Sequence, residues 1–367
     1  MALDLIEAGK LSTDVLKKGI IETIIKDSPI LQELPFITVL GNGLTYNQEE
    51  TLPGVGWYHV GEVWEESTPT FRQLTAALKI LGGDADVDNF LKATRSNIQD
   101  LEAAIIESKA NAVRHEFESA FINGKTAIDA DQFDGLHTIV GGTPWADSTA
   151  YLVGDRVVPE CGEENGFIYV CTVAGTSHSL NPTWPTSEGA SVVEATGVTW
   201  VAHYGGHITC GTGDAGTRTA GKLTLSKLDE LIDLVRGGKP DILLMSRRSR
   251  RLIAALSRAS GSNLEVGTGK LGQPIEQYAG IPIAISDWVL DDWGNTHDIH
   301  TGDCGEIYAF QMGEDAVCGV SNGDMVQVEK IGSLETKDAT RTRIKFYCSL
   351  AVFSTVKAAI LDGFNAT

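Results

Sequence analysis

The chain has 367 residues, 42% hydrophobic and 21% charged, with 40 Gly, 11 Pro and 7 Trp; this excludes general disorder, collagen and coiled coil and suits two or three folded units of roughly 150 residues each. Twenty-nine Lys and Arg stand against 49 Asp and Glu, a formal net charge of −20, which repels phosphate and argues against a duplex-binding protein that relies on counterion release. Residues 1–10 lack a basic region followed by an apolar core, no run of about 18 apolar residues occurs, and Cys161, Cys171, Cys210, Cys304, Cys318 and Cys348 form no C-x-x-C pair, so the expectation is a cytoplasmic product with reduced thiols and no membrane segment.

Residues 12–26 place Val15, Leu16, Ile20 and Ile24 on one stripe with Ser12 or Thr13 as cap, which predicts a short helix. Residues 36–46 and 70–81 are strand-like and suited to antiparallel pairing. The connection between them carries Glu49, Glu50, Trp57, Tyr58, Trp64, Glu65 and Glu66; a loop of this length without helical periodicity is expected to be functional, and its aromatics to be a contact surface. Ser96 and Gln99 form a capping box, and Leu101, Ile105, Ala112, Val113, Phe117 and Phe121 then recur at helical spacing up to Asn123-Gly124, which predicts a helix roughly 40 Å long. A long helix preceded by an extended hairpin lacks nearby sequence to cover the hairpin faces, so a neighbouring subunit is the natural supplier.

Composition shifts at Gly141-Gly142. Residues 141–206 hold Trp145, Trp184 and Trp200 and no Lys, with Arg156 as the only strong base, and short strand patterns near 151–153, 157–158, 167–172 and 198–201 predict a small all-β insertion. After Gly213 helices at 224–235 and 246–256 alternate with strands at 241–245, 281–285, 306–311, 316–320 and 325–331. Residues 342–359 turn from alternation to an apolar run, predicting a central strand that continues into a short terminal element.

Several short matches to chemistry fail on context. Gly319-Val320-Ser321-Asn322-Gly323 fits G-x-S-x-G, but the nucleophile elbow needs a following helix and a strand pattern follows here, so Asn322-Gly323 is expected to be a hairpin turn. Asp84, Asp86 and Asp88 begin like a calcium loop, yet Asn89 and Arg95 stand where Gly and Glu are required. His297, Asp298, His300, Asp303 and Cys304 fit no standard metal spacing; surface solvation is the preferred reading and a metal-dependent hydrolase an alternative. No phosphate-cradling glycine loop occurs, so neither cofactor nor metal is expected. Arg247, Arg248, Arg250 and Arg251 make a basic helix face, read either as solvated with local pairs or as docking an acidic neighbour.

The order of these parts resembles the major capsid protein of tailed bacteriophages. The resemblance is carried by the glutamate-rich hairpin, by Ile80 to Leu91 (ILGGDADVDNFL), by the long helix, by Phe133 to Leu136 (FDGL) and by the following α/β region with its returning strand. It implies an α+β fold of the HK ninety-seven type: an N-terminal arm at 1–35, an E-loop at 36–81, a peripheral domain with spine helix at 82–140, the insertion at 141–206, an axial domain at 207–335, and strands at 336–367 returning to the peripheral domain. The implied function is structural and non-enzymatic: self-assembly as hexamers and pentamers into an icosahedral head that encloses double-stranded DNA. A scaffolding protein, a portal and a decoration protein are the implied partners, the virion capsid is the location, and assembly takes place in the host cytoplasm. Relatives that cross-link do so through an E-loop lysine, but no Lys lies between Lys26 and Lys79, so a non-covalent shell is expected. An arm of about 35 residues is too short for an internal scaffolding domain, which makes scaffolding a separate or already cleaved protein. The insertion resembles small chitin-binding-type modules through Trp145, Tyr151, Gly154, Tyr169-Val170-Cys171 and Pro182 to Pro185. The preferred reading is that its aromatics form its own core; stacking of Trp145, Tyr151, Trp184 and Trp200 on sugar rings, as in a glycan-binding or adhesin protein, is the alternative.

Overall fold

The structure, a computed structural model, describes residues 3–4, 28–51, 55–64, 66, 68, 70–90, 101–126, 128–159, 165–210, 218–261, 264–268, 274–289, 300–301 and 304–365. The helix expected at 12–26, the Ser96 capping box, and His297, Asp298 and Asp303 lie outside these residues, as do the side chain of His300 and the loop residues Glu65 and Cys161.

Leu3–Asp4 form a two-residue strand antiparallel to residues 35–36 at the edge of a sheet, and the next described element is α1 (Pro29–Glu33), whose cap Ser28 accepts a hydrogen bond from the Leu31 amide. There follow β1 (Pro35–Thr38), the hairpin β2 (Gly43–Thr51) and β3 (Thr70–Ala77), and β4 (Lys79–Asp88). The spine helix α2 (Leu101–Asn123) and the short α3 (Leu136–Val140) precede the insertion, whose main strands are β5 (Arg156–Val158), β6 (Phe167–Val173), β7 (Ser191–Val193) and β8 (Thr199–Tyr204). Then come β9 (Gly206–Thr209), α4 (Leu225–Leu234), β10 (Ile242–Met245), α5 (Arg247–Ala259), β11 (Glu265–Thr268), β12 (Pro274–Tyr278) and β13 (Ile281–Ile285). The last strands are β14 (Cys304–Phe310), β15 (Val317–Ser333), β16 (Ala339–Val352) and β17 (Ala358–Asn365).

Two sheets and the spine helix form the body. In one sheet β1 lies parallel to β15, and β15, β16 and β4 follow in antiparallel order. In the other the order is β9, β17, β14, β10, β13, β12, β11. Alternation in strand β10 shows why all four of its residues are buried: Ile242 and Leu244 join the spine-helix core, while Leu243 and Met245 join a second core with Leu228 and Leu231 of α4 and Ile253 of α5. The spine buries Ile106, Ala110, Val113, Phe117 and Phe121, spaced by three or four residues as one helical face requires. Phe117 sits at the centre of an aromatic cluster, with its ring 5.4 Å from Phe346, 5.9 Å from Phe133 and 6.2 Å from Phe36, a geometry that adds specific ring contacts to about 1.5–3 kcal/mol from burying one such side chain.

Four expected elements take a different form. The strand-like segment 36–46 breaks at Leu40-Gly41-Asn42: Phe36 pairs with Gly319 in the body, whereas Leu44 and Tyr46 belong to the hairpin opposite Ala76 and Leu74. Its partner 70–81 divides at Leu78 for the same reason, because one continuous pair cannot serve both the body sheet and a ribbon leaving it. Asn322-Gly323 is not a hairpin turn. β15 runs through it, and the register steps from Ser321 opposite Cys348 to Val326 opposite Phe346, an irregularity in which the chain bulges and does not reverse; Gly323, at φ 55°, takes the left-handed conformation that such a bulge demands as readily as a turn does. The expected C-terminal continuation of 342–359 is split by a single 3-10 turn at Thr355–Lys357, after which β17 enters the other sheet between β9 and β14.

Candidate functional site

The hairpin is fastened at its root and uncovered at its tip. At the root, Gln48 Nε2 donates to the carbonyls of Val352 (2.9 Å) and Phe353 (3.0 Å), and Arg72 Nη2 donates to Gln48 Oε1 (3.2 Å). The Tyr46 ring packs 4.7 Å from that of Phe353, and Ala76 joins Cys318, Val320 and Ala351 in a small separate core against which Leu44 and Leu78 pack. Burial pushes the Tyr46 phenol above its usual range. Backbone carbonyls at a strand end are acceptors that any chain supplies, so only the long-range pairing of 48 with 352 reveals Gln48 and Arg72; no local motif marks them.

The tip has local order without cover. The Glu62 amide donates to the His59 carbonyl (3.1 Å) and Glu62 Oε2 accepts from the His59 amide (2.7 Å), closing a turn with Gly61 at φ 92° in its third position, the conformation that favours Gly there. Across this turn Tyr58 and Trp64 stack with ring centres 4.7 Å apart and planes 12° from parallel. Outside the stack Val55, Trp57, Val60 and Val63 are almost fully exposed; Trp57 reaches 103% of its reference accessibility. Glu66 is also exposed. Glu49 and Glu50 fall in β2. Isolated apolar residues on a surface are ordinary, but this many on one projecting turn mark a contact site.

The insertion places its aromatics the other way round. β7, β8, β6 and β5 form its sheet with the two-residue strand Thr143–Pro144 at the edge beside β5, and Trp145 (1% exposed), Trp200 (0%) and Tyr151 (7%) lie in its core. Glu194 explains how two indoles are buried together: its Oε1 accepts from Trp145 Nε1 (3.0 Å) and Trp200 Nε1 (2.5 Å), while Oε2 accepts from the His178 amide (2.5 Å). Sugar stacking by Trp145, Tyr151 and Trp200 is therefore corrected, since a ring face in the core is closed to ligand. Trp184 is half-buried, 4.3 Å from the Tyr169 ring, with its indole donating to Asn181. Glu194 was not legible as a core residue, because beside nearby Trp200 it depends on His178 and Trp145, sixteen and forty-nine residues away.

The arginine face on α5 divides. Arg247 makes two hydrogen bonds to Asp287 and Arg250 two to Glu276, which holds the Glu276 carboxyl below its usual range. Arg248 and Arg251 are exposed on the same helix. Asp84 and Asp86, from the failed calcium-loop match, lie on β4 opposite Arg343 and Arg341 of β16, each carboxylate held by two hydrogen bonds. Among the described residues no group of three or more His, Cys, Asp or Glu is arranged to hold a metal ion.

Among solved structures, the chain is similar to the encapsulin of the holo-SrpI complex from Synechococcus elongatus, with a TM-score of 0.58 and 15% identity over 100% of this chain and 98% of that one. It is similar to the capsid of an empty GTA particle (0.56, 14%, 92% and 90%) and to a chain of Microbacterium phage Oxtober96 (0.51, 13%, 91% and 90%). At these identities the likeness speaks for the fold, which is α+β of the HK ninety-seven type. No curated protein sequence matches the chain. The phage capsid family matches residues 9–354, nearly the whole chain, so the protein belongs to that family and its role is the structural one of a major capsid protein.

Proposed function

We propose that copies of this chain assemble as hexamers and pentamers into a non-covalent icosahedral shell around double-stranded DNA, each hairpin tip covering itself on an adjoining copy. The observation that carries this reading is the contrast within one ribbon, where Gln48 and Tyr46 bind the root to β16 while Trp57, Val60 and Val63 stand exposed. Burying a large apolar side chain stabilises by about 1.5–3 kcal/mol, and a symmetric shell repeats the contact at every position, so modest single interfaces suffice. The absence of Lys between Lys26 and Lys79 leaves no amine in the hairpin for an isopeptide link. The net charge of −20 suits a wall that must not adhere to the nucleic acid it encloses. In this reading the head is assembled in the host cytoplasm with a scaffolding protein and a portal, and the insertion is an outward decoration that contacts neighbours or a decoration protein.

Negative-stain microscopy of the purified chain tests the assembly. Closed icosahedral particles or six-fold rings are expected, and a compact monomer at high concentration would overturn it. Boiling the particles in denaturant is expected to release single chains; a cross-linked ladder mapping to residues 36–78 would refute the non-covalent shell.

A further inference from the structure

Where the hairpin root, the loop after the spine helix, the insertion and β16 meet, a cavity of about 230 Å³ opens, lined by Arg72, Lys79 and Arg156. Asp134 is the one carboxylate in its lining. Three cations against one anion reverse the balance of the chain as a whole, in which 49 acidic residues outnumber 29 basic ones.

The acceptors of these cations are an amide oxygen and two backbone carbonyls. Arg72 donates to the Gln48 amide oxygen and lies 3.5 Å from His203 Nε2, whose other ring nitrogen is 2.9 Å from Glu188. Arg156 donates to the Ile139 carbonyl, and Lys79 to the Ala130 carbonyl at 2.6 Å. Asp134 is engaged locally, its Oδ1 accepting from the Thr126 amide and hydroxyl, each at 2.8 Å. Among the described residues, none of the three cations forms an ion pair with a carboxylate. A guanidinium carries five donors, and Arg156 uses one of them on Ile139. Burial, and then repulsion from Arg72, push the Arg156 guanidinium down to about 10, with Asp134 opposing. Like charges partly removed from water around one cavity are costly unless an anion joins them.

We propose that this cavity binds a small oxyanion, either a phosphate-type ion from solution or a carboxylate presented by an adjoining copy, between the forks of Arg72 and Arg156. Planar guanidiniums match the paired oxygens of such groups. Because Arg72 belongs to β3 and Arg156 to β5, the bound ion ties the hairpin to the insertion and sets the angle at which the hairpin leaves the body. The site stands apart from the tip contact, so loss of assembly on altering Trp57 leaves it untouched.

The test is a titration of inorganic phosphate into unassembled full-length subunits at ionic strength held constant with sodium chloride, read as melting temperature and by calorimetry. A saturable rise is expected, abolished in Arg72→Gln and retained in Arg247→Gln, whose guanidinium pairs with Asp287 elsewhere. Arg156→Lys keeps the charge but loses the fork, and is expected to weaken binding roughly tenfold or more. It serves should Arg72→Gln fail to fold. No response beyond that to chloride, or equal responses in wild type and both cavity variants, would overturn the proposal. Assembled particles separate the two sources: a response kept in particles identifies a free anion, and one lost on assembly identifies a neighbour's carboxylate.

Discussion

The hairpin tip and the insertion are rich in the same residue types, Trp, Tyr, Val, Gly and Glu, yet the tip turns Trp57 outward and the insertion seals Trp145 and Trp200 inside. The difference lies in how many sides the chain itself can close. In the insertion, strands β5, β6 and β8 surround the indoles, and Glu194 takes both N–H groups out of water. At the tip two ribbon arms cover a single face, that of the Tyr58–Trp64 stack. A two-stranded ribbon has no second layer, so its remaining apolar surface is available only to another chain. A tryptophan in a glycine-rich segment thus marks either a core or an interface, and the partner strands decide which.

Emptying the insertion core has the largest consequence. Trp200→Ala removes a wholly buried ring and is expected to cost about 3–5 kcal/mol. Limited proteolysis should then cut within residues 141–206 while the spine-helix core stays resistant. Continued protection of the insertion would show that its aromatics are not what holds it. Next in size is Glu194→Ala, which strands two indole donors and the His178 amide. At about 1–3 kcal/mol per unsatisfied buried group, partly relieved by water, the loss should be roughly 2–4 kcal/mol in thermal unfolding.

The tip should respond in the opposite sense. Trp57→Ala is expected to change the stability of the unassembled subunit by less than about 0.5 kcal/mol, because the ring is fully exposed. The same change should raise the concentration needed for assembly by roughly tenfold or more if the indole is an interface anchor worth about 1.4 kcal/mol or above. Light scattering against protein concentration measures it. Equal assembly curves for variant and wild type would remove the tip from the interface.

Much of the fold was legible because its signals are local. The three- and four-residue spacing from Ile106 to Phe121 defines the spine helix, and Ser246 caps α5 through its hydroxyl, which accepts from the Ser249 amide. What stayed hidden depends on distant partners. Asn322-Gly323 has the dihedral freedom of a turn, and only the continued pairing of β16 beyond Phe346 makes it a bulge. The break at residues 39–42 arises because β15 claims Phe36 while β3 claims Leu44. Aromatic character was readable in the insertion, but burial of Trp145 requires Glu194, forty-nine residues later. The cavity at Arg72 and Arg156 joins two segments whose charges look unremarkable separately.

The smallest expected effect concerns how the hairpin's outgoing strand is held once it enters the body. β4 presents Asp84 and Asp86 to Arg343 and Arg341, and Lys337 adds a contact to Asp86 at 2.5 Å. The hydrogen bonds from Arg341 and then Lys337 hold the Asp86 carboxyl well below the usual range, and the one from Arg343 lowers that of Asp84. A carboxyl depressed in the folded state contributes stability that is fully present above its unfolded value near 3.8 and is lost as pH falls through the folded value. Wild type should therefore lose melting temperature below about pH 4, whereas the double variant Asp84→Asn, Asp86→Asn, lower at pH 7, should show less of that fall. Because the ladder faces solvent, concentrated salt should narrow the gap between the two proteins at pH 7. Protease resistance of the insertion should be the same in both, since its core is closed by aromatic packing and Glu194. A gap indifferent to both acid and salt would mean that β4 is held by its backbone pairing with β16 and by Ala85 and Val87 beneath it, with the charges as bystanders.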